Sequence, residues 1–272
     1  MTSSLVGSEM CIRDSPNITH VEGKTDPIRD IEIINVELIL ADLEIIENRL
    51  NKIMKKAETT KDKEAVAEVA VLTKAKENLE KNIPLRLVDF SEEEKMLMKN
   101  FSFITLKPLI YVTNVLEDDV VLGENDYTKL VSQYAKKENA GVIVMCCKME
   151  SELSELNDDD KKLFLQELGI SSSGLDRLIF ATYSLLGLET FFTAGSDECR
   201  AWTFKKGMNA KACAGLIHSD IERGFIKAEV MSFDDLYQYK SELKVKEAGK
   251  LRLEGKDYLM QDGDIVYFRF NV

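Results

Sequence analysis

From Val36 onward an apolar residue returns every three or four positions: Val36, Ile39, Leu43, Ile46, Leu50, Ile53 and Ala57. That spacing lays one apolar seam along one side of a helix. Glu58, Thr59 and Thr60 interrupt it. A second ladder follows at Ala65, Val69, Leu72, Lys76, Leu79 and Ile83, and Pro84 ends it. Two seamed helices with a short polar link predict an antiparallel hairpin over residues 41–95. Its tip is basic, with Lys52, Lys55, Lys56, Lys61 and Lys63. The plainer account of these lysines is a solvated coiled-coil surface. The sharper one is an arm that touches RNA or a ribosomal surface.

Beyond the hairpin the pattern changes. Ser91 followed by Glu94 marks a helix start, with a short helix expected to about Lys99. Residues 108–113 read as a buried strand ending at Asn114, 127–138 as a helix, and 141–146 as a second buried strand. Helices are expected over 158–167 and 175–186. Strand, helix, strand, helix at these lengths is the α/β signature of a parallel sheet. After Gly187 the texture becomes mixed α+β. Strands are expected at 190–193, 200–204 and 265–270, one helix at 210–223, and a turn at 261–264.

The first of these strands delivers Asn114 to its carboxyl end, where open α/β sheets bind ligands. P-loop GTPases place N-K-x-D there. Here the run is Asn114, Val115, Leu116, Glu117. An Asn amide can pair with the adenine N6/N7 edge, and the guanine-reading aspartate is gone. A turn-favouring Asn at a strand end is the plain alternative. One helix later, where GTPases carry S-A-K, stand Cys146, Cys147 and Lys148. The phosphate side has no counterpart. Gly23, Lys24 and Thr25 mimic the end of a P-loop, but Ile18 stands where its first glycine belongs, and Asp26-Pro27 follows where a helix must begin. None of the 14 glycines has an aspartate three residues before it, so the D-x-x-G motif is missing as well.

Composition narrows the remaining options. A net charge of −12 argues against bulk electrostatic adhesion to nucleic acid, leaving only local basic patches. Five cysteines, with only Cys146 and Cys147 close together, make neither a disulfide framework nor a zinc site. Two histidines, His20 and His218, exclude a His-rich metal centre, and no metal ligand set is read from the sequence. No run reaches the roughly 18 apolar residues a membrane helix needs, so a cytoplasmic location is the default. Residues 1–15 match nothing that follows and are read as a non-native leader.

With these residues assembled, the chain resembles the YchF (Obg-like) ATPase family. The resemblance is carried by residues 17–23 (N-I-T-H-V-E-G), 26–35, 37–44, Asn114 with Glu117, Arg200 to Trp202, 215–225 (G-L-I-H-S-D-I-E-R-G-F), 247–250, 255–258 and 262–264. It implies an α/β fold: a remnant of a P-loop GTPase-like parallel sheet at 16–40 and 96–187, an inserted coiled-coil arm at 41–95, and a C-terminal β-grasp TGS domain at 188–272. It also implies a ribosome-associated enzyme that, when intact, binds and hydrolyses ATP over GTP with Mg2+. Carried over by position, Asn114, Val115 and Glu117 form the base loop, with Val115 near the adenine. Cys146, Cys147 and Lys148 form the second base wall. His20 falls on the histidine that assists hydrolysis, a sensible role for an imidazole where a water-positioning glutamine is lacking.

The family's P-loop and D-x-x-G segment is absent here, so the chain is expected to be an inactive fragment that holds no ATP tightly. A non-catalytic ribosome- or RNA-binding module, acting through the arm and the TGS domain, is the alternative. The ribosome is the expected partner, with no membrane and no DNA, and the chain is expected to be a monomer. Lys205, Lys206 and Lys211 are an RNA-facing edge by analogy alone. His218 is expected to pack or cap within its helix.

Overall fold

The computed structural model describes residues 26–60, 62–195 and 198–271. Residues 1–15, His20, the Gly23–Thr25 run and Lys61 lie outside them. By contacts the chain divides after Leu178 into two compact units.

The first helix, α1, runs unbroken over Pro27–Thr60 for 34 residues. At 1.5 Å per residue it is about 50 Å long. The expectation that Asp26-Pro27 opposes a helix start is corrected: the Asp26 carboxylate accepts from the Ile28 and Arg29 amides at 3.2 Å each. Proline at the first helical position loses nothing, because its missing N–H would have had no partner. Glu58 and Thr59 likewise lie inside the helix rather than breaking it. After Asp62 caps it, α2 (Lys63–Leu79) folds back along α1. Ile39, Ile46 and Leu50 meet Val71, Leu72, Ala75 and Leu79 in one buried cluster. The seam therefore passes through Ala75. Lys76 sits beside it and pairs with Glu47 at 2.9 Å. Val36 is 41% exposed, because that turn of α1 has already left the hairpin.

No break in α1 separates the arm from the sheet. Its first turns put Ile31 against Tyr111, Val131 and Ala135. Its middle carries Asp42, which is fully buried and accepts from the Ile104 amide at 2.9 Å, the Thr105 amide at 2.7 Å and the Thr105 hydroxyl at 2.6 Å. Three donors satisfy a carboxylate that burial would otherwise penalise heavily. They also fix the chain just before the first strand. Ahead of it, α3 (Glu92–Met98) starts with the expected Ser91–Glu94 capping box.

Strands β1 (Ile110–Asn114) and β2 (Gly141–Met145) pair in parallel, as the strand-helix-strand rhythm predicts. Helices α4 (Glu117–Leu122) and α5 (Asp126–Lys137) connect them. The strands are mostly half-buried rather than buried, since the sheet has only these two strands among the described residues. After β2 come α6 (Cys147–Ser154), α7 (Asp158–Glu167) and α8 (Gly174–Leu185). The short α4 and α6 carry no full apolar period, so the pattern did not reveal them.

The second unit is a mixed sheet of five strands in the order β4-β3-β7-β5-β6. These are β3 (Leu188–Ala194), β4 (Cys199–Lys205), β5 (Phe225–Ser232), β6 (Arg252–Glu254) and β7 (Asp264–Phe270). The β3–β4 hairpin, the helical crossover and the final strand set parallel beside β3 make a β-grasp arrangement. Phe191, Phe204, Val230 and Phe268 form its core with α9 (Ala210–Ile217). The single helix expected over 210–223 is corrected to two. His218 sits extended between α9 and α10 (Ser219–Arg223), and its Nδ1 accepts from the Asp220 amide at 3.1 Å. On the opposite face, α11 (Phe233–Tyr239) and α12 (Glu242–Glu247) cover Met231 and Ile265.

One buried ion pair joins three segments of the first unit. Arg86 reaches Glu138 at 2.8 Å, with their side chains 8% and 7% exposed, and Tyr111 donates to the same carboxylate at 2.9 Å. Removing one partner would leave the other charge buried alone. The Glu138→Ala variant is therefore expected to lose about 3–5 kcal/mol of unfolding free energy, read as a lowered urea midpoint. A midpoint equal to wild type would show the pair to be dispensable.

Candidate functional site

The parallel register sets Asn114 opposite Met145, so both strands end at one edge of the sheet. That edge is where open α/β sheets present their loops. The ladder continues one step further, with the Val115 amide donating to the Met145 carbonyl at 2.9 Å. The Asn114 side chain crosses the gap between the strands. Its Oδ1 accepts from the Cys147 amide at 2.8 Å, at the first residue of α6. Cys146, the residue before that helix, supplies no side-chain cap of its own. Asn114 is thus a cap donated from another strand, satisfying a donor that the helix cannot satisfy internally.

Glu117 opens α4 with Asp118 and Asp119 in the same turn, which suits the partial positive charge of a helix start. Across the mouth of the site, Lys148 Nζ meets Glu117 Oε1 at 2.9 Å and Glu152 at 3.7 Å. The hydrogen bond that Lys148 donates to Glu117, and then the charges of Glu117 and Glu152, hold the Lys148 ammonium above its ordinary range. Both side chains are well exposed, so the pair adds little stability. Its effect is geometric: it straps the Asn114–Glu117 loop to the Cys146–Lys148 turn.

The placement of Val115 differs from the expectation. Its side chain is 6% exposed and packs with Val120, Cys146, Met149 and Leu153 beneath the loop. Val115 thus joins the cluster of α4 and α6, apart from the one in which Tyr111 meets α1 and α5. Cys146 is equally buried and Cys147 half-buried. At the rim of the site, then, stand Asn114, Glu117, Cys147 and Lys148.

Two residues that support the site were not singled out from the sequence. Glu150 accepts from the Gly174 amide at 2.6 Å and the Leu175 amide at 3.1 Å, tying α6 to the start of α8. A Cβ on Gly174 would stand 2.5 Å from Met145 Cβ and 2.9 Å from Glu150 Oε1, so only glycine fits. A local signal did exist. Ser173 precedes Asp176 by three residues, the spacing of a capping box, and its hydroxyl accepts from the Asp176 amide at 3.0 Å.

Among the described arm lysines, Lys52, Lys55, Lys56 and Lys63 are all exposed at the tip. Lys56 pairs with Asp62 at 3.0 Å, so the tip is not purely basic. Among the described residues, no cluster of three or more His, Cys, Asp or Glu side chains is arranged for a metal. No described helix is long and apolar enough to cross a membrane.

Comparison with known proteins shows what the chain as a whole is similar to. A family model named YchF-GTPase_C, described as a protein of unknown function (DUF933), matches residues 188–271. The ribosome-binding ATPase YchF of Bacillus subtilis is 56% identical over 257 residues, covering 94% of this chain and 70% of that protein. Its counterpart in Escherichia coli O157:H7 is 48% identical over 259 residues, covering 95% and 70%. The solved structure of the Schizosaccharomyces pombe YchF GTPase superposes with a TM-score of 0.82 at 34% identity, over 94% of this chain and 69% of that one.

The Asn114 bond gives a test that needs no ligand. Asn114→Ala is expected to lower stability by about 1–2 kcal/mol, while Asn114→Asp keeps most of it because a carboxylate also accepts. Equal losses in the two variants, measured by urea denaturation, would refute the capping role.

Proposed function

The chain belongs to the YchF family, and on that premise we propose that it carries the adenine-reading part of a ribosome-binding ATPase. The observation that supports this most is the crossing of Asn114 to Cys147, with Glu117 and Lys148 strapped together above it. In this reading a base enters between the two loops. The Asn114 amide meets its edge, the Cys147–Lys148 turn walls one side, and Glu117 replaces the aspartate that would select guanine. Val115 supports the loop from below, and only its backbone stands near the base. Bound ATP would supply the phosphoanhydride for hydrolysis, with Mg2+ on its phosphates. The base end fits such a ligand. The described residues provide neither a phosphate cradle nor a metal ligand set. The chain is therefore proposed to hold adenine weakly and not to hydrolyse ATP by itself. His20 keeps its proposed part in hydrolysis, and the division into a sheet domain, an arm and a TGS domain remains part of this reading.

Titration of the isotopically labelled chain with adenosine and with guanosine tests the proposal. Adenosine is expected to shift the amides of Asn114 to Glu117 and Cys147, and Asn114→Ala to abolish those shifts. Stronger shifts with guanosine would reject the adenine reading.

The second reading, a ribosome- or RNA-docking arm, is favoured by four exposed lysines gathered at the hairpin tip. Changing Lys52, Lys55, Lys56, Lys61 and Lys63 to Glu is expected to remove the chain from the ribosomal pellet in sedimentation. Undiminished pelleting would put the contact elsewhere.

A further inference from the structure

Strand β4 stands at one end of the five-strand order, so one of its sides has no neighbour within the sheet. The strand at the other end, β6, has three residues, whereas β4 has seven. The ladder to β3 fixes which backbone groups are left over. Lys206 donates to the Gly187 carbonyl at 2.8 Å, and Gly195 donates to the Glu198 carbonyl at 2.9 Å. In an antiparallel ladder, hydrogen-bonded pairs alternate with non-bonded ones. Glu198, Arg200, Trp202, Phe204 and Lys206 therefore bond toward β3, while Cys199, Ala201, Thr203 and Lys205 turn their amides and carbonyls outward. Lys205 uses its own groups in the turn with Met208. Those of Cys199, Ala201 and Thr203 are left for a neighbour, and all three residues are exposed.

Such an edge is a template for pairing with another chain, and proteins commonly blunt it with proline, a bulge or charge. Strand β4 has no proline, and its register with β3 runs without a bulge. The side chains at the outward-bonding positions Cys199, Ala201 and Thr203 are small and uncharged. The one central charge, Arg200, is drawn over the Trp202 ring, 4.3 Å from its centroid. The strand is also polarised. Glu198 stands just before it, and Lys205 and Lys206 stand at its end. An antiparallel copy turned about Ala201 brings each acidic end to the basic end of the other. In that register Cys199 meets Thr203 and Ala201 meets Ala201, with two main-chain hydrogen bonds in each such pair. Between these pairs Arg200 comes opposite Trp202 of the second copy, where one guanidinium can bridge two indole rings.

We propose that β4 pairs with β4 of a second copy of this chain, antiparallel about a two-fold axis at Ala201, joining two β-grasp sheets into one. The interface is isologous: the same residues serve both sides. An extended peptide of another protein would meet the same backbone groups. The strand itself, however, satisfies both the charge polarity and the Arg200–Trp202 match. Pairing over so short a strand makes a small interface, so the dimer is weak, with a dissociation constant on the order of 10–100 μM. It replaces the monomer expected from the sequence and is independent of the loop above β1.

Sedimentation velocity of the full chain, followed from about 1 to about 500 μM, is expected to show a dimer that grows with concentration. Ala201→Pro removes an outward amide that β3 does not use, and is expected to weaken the dimer at least about tenfold with the far-UV spectrum unchanged. Arg200→Glu reads the same contact through an exposed side chain, with no change to the backbone, and is expected to weaken it comparably. Thr203→Cys sets a thiol opposite the native Cys199 of the second copy. Copper–phenanthroline oxidation of that variant is expected to give a covalent dimer linked from position 199 to position 203. Within one strand these positions lie about 13 Å apart, too far for a disulfide, so the link reports the second copy. A monomer at every concentration, a dimer that both Ala201→Pro and Arg200→Glu leave intact, or a link between other positions would overturn the proposal. The first of these results would leave the edge to a strand of another protein.

Discussion

The first unit depends on a carboxylate that has been removed from water. Glu138 ends α5 and accepts from Arg86 and Tyr111. Arg86 extends to Asn35 of α1 at 3.2 Å, and Asn35 donates to Tyr134 at 3.3 Å. Arm helix, connecting segment, strand and sheet helix thus meet at one charge. Burial pushes the Tyr111 hydroxyl well above the usual tyrosine range, and the Glu138 bond adds to this, so Tyr111 stays a donor. A buried pair of this kind gains little over apolar packing, but it admits few arrangements. Its consequence is geometric. With α1 anchored here and at Asp42, the arm cannot swing independently of the strand that carries Asn114.

That rigidity reaches the candidate site through short links. The Asp42 contacts fix Ile104 and Thr105, and β1 begins a few residues later. Its far end is held by the Asn114 cap on α6, and α6 is held to α8 by Glu150. The last two links each satisfy a helix N-terminus with a side-chain oxygen from a distant segment. The two loops of the candidate site are spaced by the strand separation beneath them, with Lys148 and Glu117 closing the rim.

The β-grasp unit uses the same device once more. Asp264 is buried and accepts from Arg252 at 3.1 Å, Tyr258 at 2.9 Å and the Gln261 amide at 3.0 Å, pinning the turn before β7. Burial, with the Asp264 bond added, pushes the Tyr258 hydroxyl up to about 12. Fixing that turn fixes the register of β7, and with it which of its side chains reach the core.

Much of this was legible in the chain itself. The three-four ladders gave the hairpin, since a seam repeated over several turns has one way to leave water. The run into Asn114 gave the strand and its carboxyl end, and Ser91 with Glu94 gave a helix start to the residue. Short elements without a full period escaped, among them α4, α6, β6 and the break at His218. So did every role that depends on a partner distant in sequence. Val115 reads as a loop residue until its packing against Val120, Cys146, Met149 and Leu153 puts it in the core. The sequence gives no sign that the Asn114 oxygen also caps a helix 33 residues away. Lys76 reads as part of the seam until Ala75 proves to be the buried neighbour. Sequence by itself determined the periodicities, the motif residues and the family they indicate, because those are local properties of the chain. Tertiary structure alone decided which face each residue takes and which charges share a burial site, because those follow from contacts between segments whose spacing the chain does not encode locally.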